Sequence, residues 1–173
     1  MDQDPPPPAI EVAISNTQRH LEIDPEALAR LVRRALLAEG VAAASISLAL
    51  VDDATIHQLN RRYLGHDWPT DVISFRLSEV GEVPLSGELV ISAELAVSTA
   101  REAGVDPWAE LALYVVHGVL HLCGHDDQSE DDRAAMRRRE HELLAREGIT
   151  DTFPLIGLAE VIGGEPESAR WSG

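Results

Sequence analysis

The sequence has one cysteine, no lysine and no long apolar run. A single cysteine excludes an intramolecular disulfide, so nothing indicates an exported, disulfide-stabilised protein. No stretch approaches the roughly 18 consecutive apolar residues that a membrane span needs. The first residues, Met-Asp-Gln-Asp and then four prolines, lack the basic and hydrophobic regions of a signal peptide. We therefore expect a cytoplasmic protein that does not associate with membranes.

Basic charge is also scarce. Fourteen basic residues, all arginine, stand against thirty acidic ones, and the net charge is -16. Because nucleic-acid binders usually carry a basic footprint, this balance alone favours an acidic enzyme or a protein-binding factor. The local balance differs at residues 55–76, where three arginines outnumber two aspartates. If RNA binds, we expect contact there and at the metal site described below.

The order of predicted elements indicates an α+β protein with one small mixed sheet packed with helices. A chain of 173 residues with 45% hydrophobic content suits one domain. We predict that domain at residues 9–150, after a disordered Pro-rich lead (1–8) and before a loosely attached tail (151–173). Strands are predicted at 11–14, 46–50, 72–75 and 88–92. Helices are predicted at 25–39, from a cap at Asp52 or Asp53 through Tyr63, and at 93–103, 108–122 and 130–146.

Two histidines four residues apart, His117 and His121, occur in the apolar helix predicted at 108–122. This spacing places both imidazoles on one helix face, where they can bind one metal ion. Gly124 favours the left-handed helix end that turns the chain back and brings Asp127 to the same ion. The alternative is that both histidines are core residues bonded to backbone. The apolar surroundings disfavour it, because titratable rings there need a partner. Zinc is the first candidate metal.

The glycine-turn spacing is similar to that of metzincin proteases, in which a glutamate follows the first histidine and acts as general base. Here that position holds Gly118. The missing glutamate disfavours a zinc protease.

Three sequence blocks carry a more specific resemblance. Residues 117–127 read H-G-V-L-H-L-C-G-H-D-D, residues 59–75 read L-N-R-R-Y-L-G-H-D-W-P-T-D-V-I-S-F, and residues 87–91 read G-E-L-V-I. They resemble, in the same order, the H-G-x-L-H-L-x-G-Y/H-D-H, L-N-x-x-Y/F-R-x-x-D-x-P-T-D/N-V-L-S-F and G-D/E-I/L-x-I blocks of the bacterial YbeY family. That family comprises endoribonucleases of ribosomal RNA maturation.

The resemblance implies a four-stranded sheet with the metal helix packed on it, and one zinc ion per chain. It also implies a single-strand-specific endoribonuclease of ribosomal RNA maturation and ribosome quality control. The implied partners are single-stranded or ribosomal RNA and a ribosomal subunit or assembly factors. Two positions depart from the family pattern. The family's third histidine ligand falls on Asp127, and an arginine implicated in activity falls on Leu64.

Candidate catalytic residues follow from these departures. Aspartate is a competent zinc ligand, so His117, His121 and Asp127 form the predicted ligand set. His125 and Asp126 are the nearest candidates for the general base. Arg61 and Arg62 are candidates for the phosphate-binding cation that Leu64 does not supply. Two alternatives stay open: a noncatalytic ribosome-assembly factor with a structural zinc, and a metal-dependent hydrolase of another substrate.

Other polar residues have simpler interpretations. The arginines at 133 and 137–139, with Glu140 and Glu142, are predicted to form a solvated helix face. Thr70 and Asp71 are predicted to serve a turn. Glu88 is kept as a further candidate, and His66 is placed within reach of the site.

Overall fold

Over the described residues, the fold is a mixed β-sheet packed with five helices, of which the last three follow one another along the chain. The structure is a computed structural model that covers residues 9–65, 70–149 and 171–172. The strands are β1 (Ile10–Asn16), β2 (Ala44–Val51), β3 (Val72–Arg76), β4 (Leu85–Ser92) and the short β5 (Trp171–Ser172). The helices are α1 (Pro25–Ala38), α2 (Asp53–Leu64), α3 (Ala93–Ala103), α4 (Pro107–Leu122) and α5 (Glu130–Arg146).

The strand order is β1-β2-β4-β3-β5. β1, β2 and β4 run parallel, and β3 pairs with β4 in the antiparallel direction. The predicted four-stranded mixed sheet is therefore confirmed, and β5 adds a two-residue parallel pairing to the edge at β3. The predicted lead, most of the predicted tail and His66 lie outside the described residues. The predicted domain limits stay predictions.

Local signals account for the helix limits. Asp106 accepts a hydrogen bond from the backbone N–H of Trp108, and Pro107 occupies the first turn of α4. Asp52, one of the two predicted caps, accepts from the N–H of Thr55 at the start of α2. Ser129 caps α5 in the same way. These caps satisfy backbone donors that helix starts leave unpaired.

Alternate residues of the strands enter different hydrophobic clusters, because successive strand side chains point to opposite faces of a sheet. Leu89 and Ile91 belong to the main core with α1, α4 and α5. Val90 belongs to a smaller cluster, to which α2 contributes Ile56. Hence α4 and α2 pack on opposite faces of the sheet.

Helix α4 lies at the centre of the fold, in contact with α1, α3, α5, β3 and β4. All its residues from Ala109 to Leu120 are buried. Gly118 allows this close packing: a Cβ atom there would lie 2.9 Å from Cδ2 of Leu89 and 3.1 Å from Cγ2 of Val72. Among the described helices, none is long and apolar enough to cross a membrane.

Candidate metal centre

The C-terminal end of α4 turns sharply and reverses the chain. Gly124 has φ +97°, a backbone conformation that glycine adopts without steric cost. The N–H of Gly124 donates to the carbonyl of His121, and the N–H of His125 donates to the carbonyl of Leu120, both at 3.0 Å. This pair of bonds is a Schellman motif. It directs the residues after Gly124 back along the face of α4 that carries the histidines.

Three predicted ligands converge at this turn. Nε2 of His117 lies 2.9 Å from Nε2 of His121. Oδ2 of Asp127 lies 3.8 Å from the first of these nitrogens and 3.5 Å from the second. Zinc–ligand bonds of about 2.0–2.1 Å at tetrahedral angles place ligand atoms about 3.3 Å apart. The spacing of the two nitrogens and the oxygen, together with their chemistry, fits a zinc ion.

Glu140 of α5 is a fourth member of this centre, and the prediction that it lies on a solvated helix face is wrong. Its carboxylate is buried, and Oε1 lies 2.5 Å from Nδ1 of His117. Burial raises the pKa of Glu140 to about 8. The error arose because Glu140 lies among arginines in the sequence, whereas in the fold it lies on the side of α5 that packs on α4.

In the part of the chain that the structure describes, the predicted base His125 is not a member of the group formed by the three ligand atoms. Its Nε2 lies 2.8 Å from Oε2 of Glu39, at the end of α1. The other Glu39 oxygen accepts a 2.6 Å hydrogen bond from Nε of Arg139. Asp126 is exposed, and its carboxylate accepts from the backbone N–H of Asp127 at 2.8 Å. These contacts hold the loop in place, and a catalytic role of either residue stays a prediction.

The predicted phosphate-binding residues occupy a different position. Arg61 and Arg62 are exposed in the last turn of α2, and the guanidinium of Arg62 lies 5.3 Å from the ring centroid of Tyr63. Leu64 packs partly against the smaller cluster. The structure thus places this turn on the opposite sheet face from α4, outside the group of His117, His121 and Asp127. The proposed role in RNA binding stays a prediction.

Two further predictions concern Thr70 and Asp71, which precede β3, and Glu88, which lies in β4. Thr70 and Asp71 are buried, and the Thr70 hydroxyl donates to the Asp71 carboxylate at 3.3 Å. Asp71 also lies close enough to Glu140 to help raise its pKa, after the larger effect of burial. Glu88 is exposed, on the opposite side of β4 from Leu89 and therefore away from α4.

Comparison with known proteins identifies the family. The family model described as Endoribonuclease YbeY matches residues 13–148. This chain belongs to the YbeY family. The resemblance predicted from the three sequence blocks is therefore confirmed.

Individual relatives of the YbeY family agree. The chain is 47% identical over 152 residues to the Endoribonuclease YbeY of Pelotomaculum thermopropionicum, covering 80% of this chain and 98% of that one. It is 48% identical over 124 residues to that of Rhodopirellula baltica, covering 70% of this chain and 63% of the relative's length. A solution structure from Thermotoga maritima, 24% identical, matches with TM-score 0.54 over 84% of this chain and 98% of that one. That last likeness supports the fold alone.

The three YbeY-like blocks meet in space at Gly118. A Cβ atom at this residue of the first block would contact Leu89 of the 87–91 block, and Val72 and Ser74 of the 59–75 block. In addition, the hydroxyl of Ser74 donates to the carbonyl of Gly118 at 3.2 Å. The blocks therefore form one packing unit, in which the sheet supports the helix that carries the histidines.

Proposed function

We propose that this protein is a single-strand-specific, metal-dependent endoribonuclease of ribosomal RNA maturation and ribosome quality control. The observation that carries the proposal is the convergence of Nε2 of His117, Nε2 of His121 and Oδ2 of Asp127 in a chain of the YbeY family. Its relatives bear the name Endoribonuclease YbeY. The proposed partners are single-stranded or ribosomal RNA and a ribosomal subunit or assembly factors, in the cytoplasm.

One zinc ion per chain is the proposed cofactor. Two imidazole nitrogens and a carboxylate oxygen are ordinary zinc ligands, and three protein ligands are typical of a catalytic rather than a structural site. A zinc ion bound there would supply Lewis-acid chemistry, because it polarises phosphoryl oxygens and lowers the pKa of water. His117, His121 and Asp127 would hold the ion.

Residues of the loop after α4 are the proposed proton acceptors. Asp126 is exposed beside the ligand Asp127, so its carboxylate is accessible to an RNA 2′-hydroxyl or a water molecule. His125 is the weaker candidate, because it is half-buried and Glu39 already binds its Nε2. Arg61 and Arg62, exposed at the end of α2, are proposed to bind the RNA backbone, since guanidinium groups pair well with phosphate.

Zinc analysis of the purified protein, combined with an RNA cleavage assay, tests the proposal. We expect close to one zinc per chain and cleavage of a single-stranded RNA. His121→Ala should lose most of the metal and His117→Ala should lose cleavage. His141→Ala is the matched control, because His141 is exposed on α5 and should change neither property. Stoichiometric zinc in His121→Ala would disprove the metal site.

A noncatalytic ribosome-assembly factor is the alternative that the net charge of -16 and Leu64 favour. In that case the zinc ion would only tie α4 to the following loop. A wild-type protein that holds one zinc per chain and leaves single-stranded RNA intact would support this function over the nuclease. Cleavage of a phosphodiester substrate other than RNA would instead favour a metal-dependent hydrolase of another class.

A further inference from the structure

Glu140 stands where α5 should carry an apolar side chain. Met136, Leu143 and Leu144 are buried on the same side of the helix, at the spacing expected for a face that packs on α4. The Glu140 side chain is only 6% exposed. Burying a carboxylate is costly unless a partner stabilises it. Its presence in this apolar face therefore needs a reason.

The partner is the predicted metal ligand His117. Oε1 of Glu140 lies 2.5 Å from Nδ1 of His117, and the other ring nitrogen, Nε2, faces His121 and Asp127. A zinc ion bound to Nε2 would take the lone pair of that nitrogen and leave the ring proton on Nδ1, where the Glu140 carboxylate is placed to accept a hydrogen bond from it. The same contact fixes the rotation of the ring.

We propose that Glu140 is a positioning residue of the metal centre, which orients His117 so that its Nε2 binds the ion. The inference rests on the proposed metal site and deepens it. Carboxylate groups that accept from metal-binding histidines set the tautomer, the orientation and the basicity of the ring. Glu140 acts through His117, and we assign it no contact with RNA.

A purely structural role is the competing explanation, in which the contact simply joins α4 to α5. The two roles differ in the property that a substitution changes. A structural contact contributes to the stability of the metal-free protein. A positioning contact contributes to zinc affinity, even where the metal-free fold is equally stable.

Three variants separate these roles: Glu140→Leu, Glu140→Gln and the control Glu142→Gln. Leucine fills similar space without an acceptor, whereas glutamine keeps an amide oxygen that accepts from Nδ1. Glu142 lies on the same helix, is largely exposed and pairs with Arg139. Three quantities are measured for each protein. Chelator competition gives the zinc dissociation constant, urea denaturation gives the free energy of unfolding of the metal-free protein, and NMR gives the ¹⁵N chemical shifts of the His117 ring.

We expect Glu140→Leu to weaken zinc binding about 10- to 100-fold, as loss of such a partner does in other metal sites. Glu140→Gln should weaken it less, and Glu142→Gln should match the wild type. The metal-free Glu140→Leu protein should be somewhat less stable than the wild type, because Nδ1 of buried His117 loses its acceptor, and the loss of zinc affinity should exceed this destabilisation. Its His117 ring should populate both tautomers.

Zinc affinities within twofold of the wild type in both Glu140 variants would overturn the proposal. An affinity loss that only parallels destabilisation of the metal-free fold would overturn it as well. Should Glu140→Leu fail to fold, the near-isosteric Glu140→Gln decides by the same criteria. Zinc binding is measured without RNA, so the two proposals can fail separately. A wild type that binds zinc and cleaves no RNA would contradict the proposed nuclease activity, whereas the role of Glu140 would still be decided by the zinc affinities of its variants.

Discussion

Glu39 and His125 are 86 residues apart in the chain, yet Oε2 of the first lies 2.8 Å from Nε2 of the second. Arg139 completes the contact: its Nε donates to the other Glu39 oxygen, and its Nη2 donates to the carbonyl of Ala38 at 2.9 Å. The end of α1, the loop after α4 and the helix α5 are thereby tied together. The loop that presents Asp127 is held by Glu39 at the end of α1, which Arg139 of α5 in turn fixes in place.

Replacing Glu39 with glutamine should destabilise the protein by about 1–3 kcal/mol at neutral pH, because two hydrogen bonds to a charged group are weakened. Burial opposes ionisation of Glu39, but the bonds from His125 and Arg139 outweigh it and hold its pKa below the usual 4.5. A depressed pKa stabilises the fold fully above the unfolded-state value, and this contribution is lost as the pH falls through the folded-state value.

Urea denaturation of the wild type and Glu39→Gln at several pH values checks this prediction. The difference in unfolding free energy should be constant above about pH 5 and should shrink at lower pH. Glu142→Gln removes the exposed carboxylate on Arg139 and should cost no more than about 0.5 kcal/mol. A Glu39→Gln difference that persists unchanged at acid pH would contradict the electrostatic explanation.

Replacing Gly118 with alanine should destabilise the protein by about 1–2 kcal/mol, although alanine is the better helix former by about 1 kcal/mol. The added Cβ would lie 2.9 Å from Cδ2 of Leu89 and 3.3 Å from Oγ of Ser74, in a region where every neighbour is buried. Thermal or urea unfolding measures the effect. The double variant with Leu89→Ala should be less destabilised than the sum of the two single variants, since the clashing atom is gone. Strict additivity would argue against this contact.

Replacing Asp127 with histidine should tighten zinc binding, on the order of tenfold, because imidazole nitrogen is a softer ligand that suits zinc. It would also restore the ligand that the YbeY pattern has at this position. Chelator competition measures the dissociation constant. Asp126→His is the matched control, as Asp126 is adjacent and exposed but outside the ligand group. Tighter binding in Asp126→His and not in Asp127→His would show that the third ligand is misassigned.

Replacing Leu64 with arginine should raise cleavage of single-stranded RNA about tenfold without changing zinc content, because it restores the arginine of the YbeY pattern and adds a cation that can pair with the RNA backbone. Leu64 packs partly against the smaller cluster, so a stability loss of about 1 kcal/mol is expected as well. Leu64→Gln has the same loss of packing without the charge and should not gain activity. Equal cleavage rates for the arginine and glutamine variants would exclude a role for the charge at this position.

The parts of the structure that the sequence predicts are those specified by neighbouring residues. The starts of α4 and α5 follow from Asp106, Pro107 and Ser129, and the Schellman turn at Gly124 is specified within one helical turn. The ligands at 117, 121 and 127 are predictable for the same reason, since one helix and one turn place all of them.

The supporting carboxylates are not predictable in this way. Glu140 and Glu39 reach the site only because α5 and α1 pack on α4, and they bind partners 23 and 86 residues away. In the sequence Glu140 follows three arginines, and Glu39 is the last residue before Gly40 at the end of a predicted helix; charged residues in such positions are usually solvated. A regular signal was nevertheless present for Glu140, which stands four residues after Met136 and three before Leu143 in the buried face of α5.

The stretch from His117 to Asp127 contains all three proposed ligands, and this makes it appear transferable as a unit. Grafted onto a helix of another protein, it would bring its donor atoms and its turn. It would leave behind the carboxylate that orients His117 and the one that anchors His125. A transplanted copy should therefore need counterparts of Glu140 and Glu39 from its new host before it binds metal as the parent chain is proposed to.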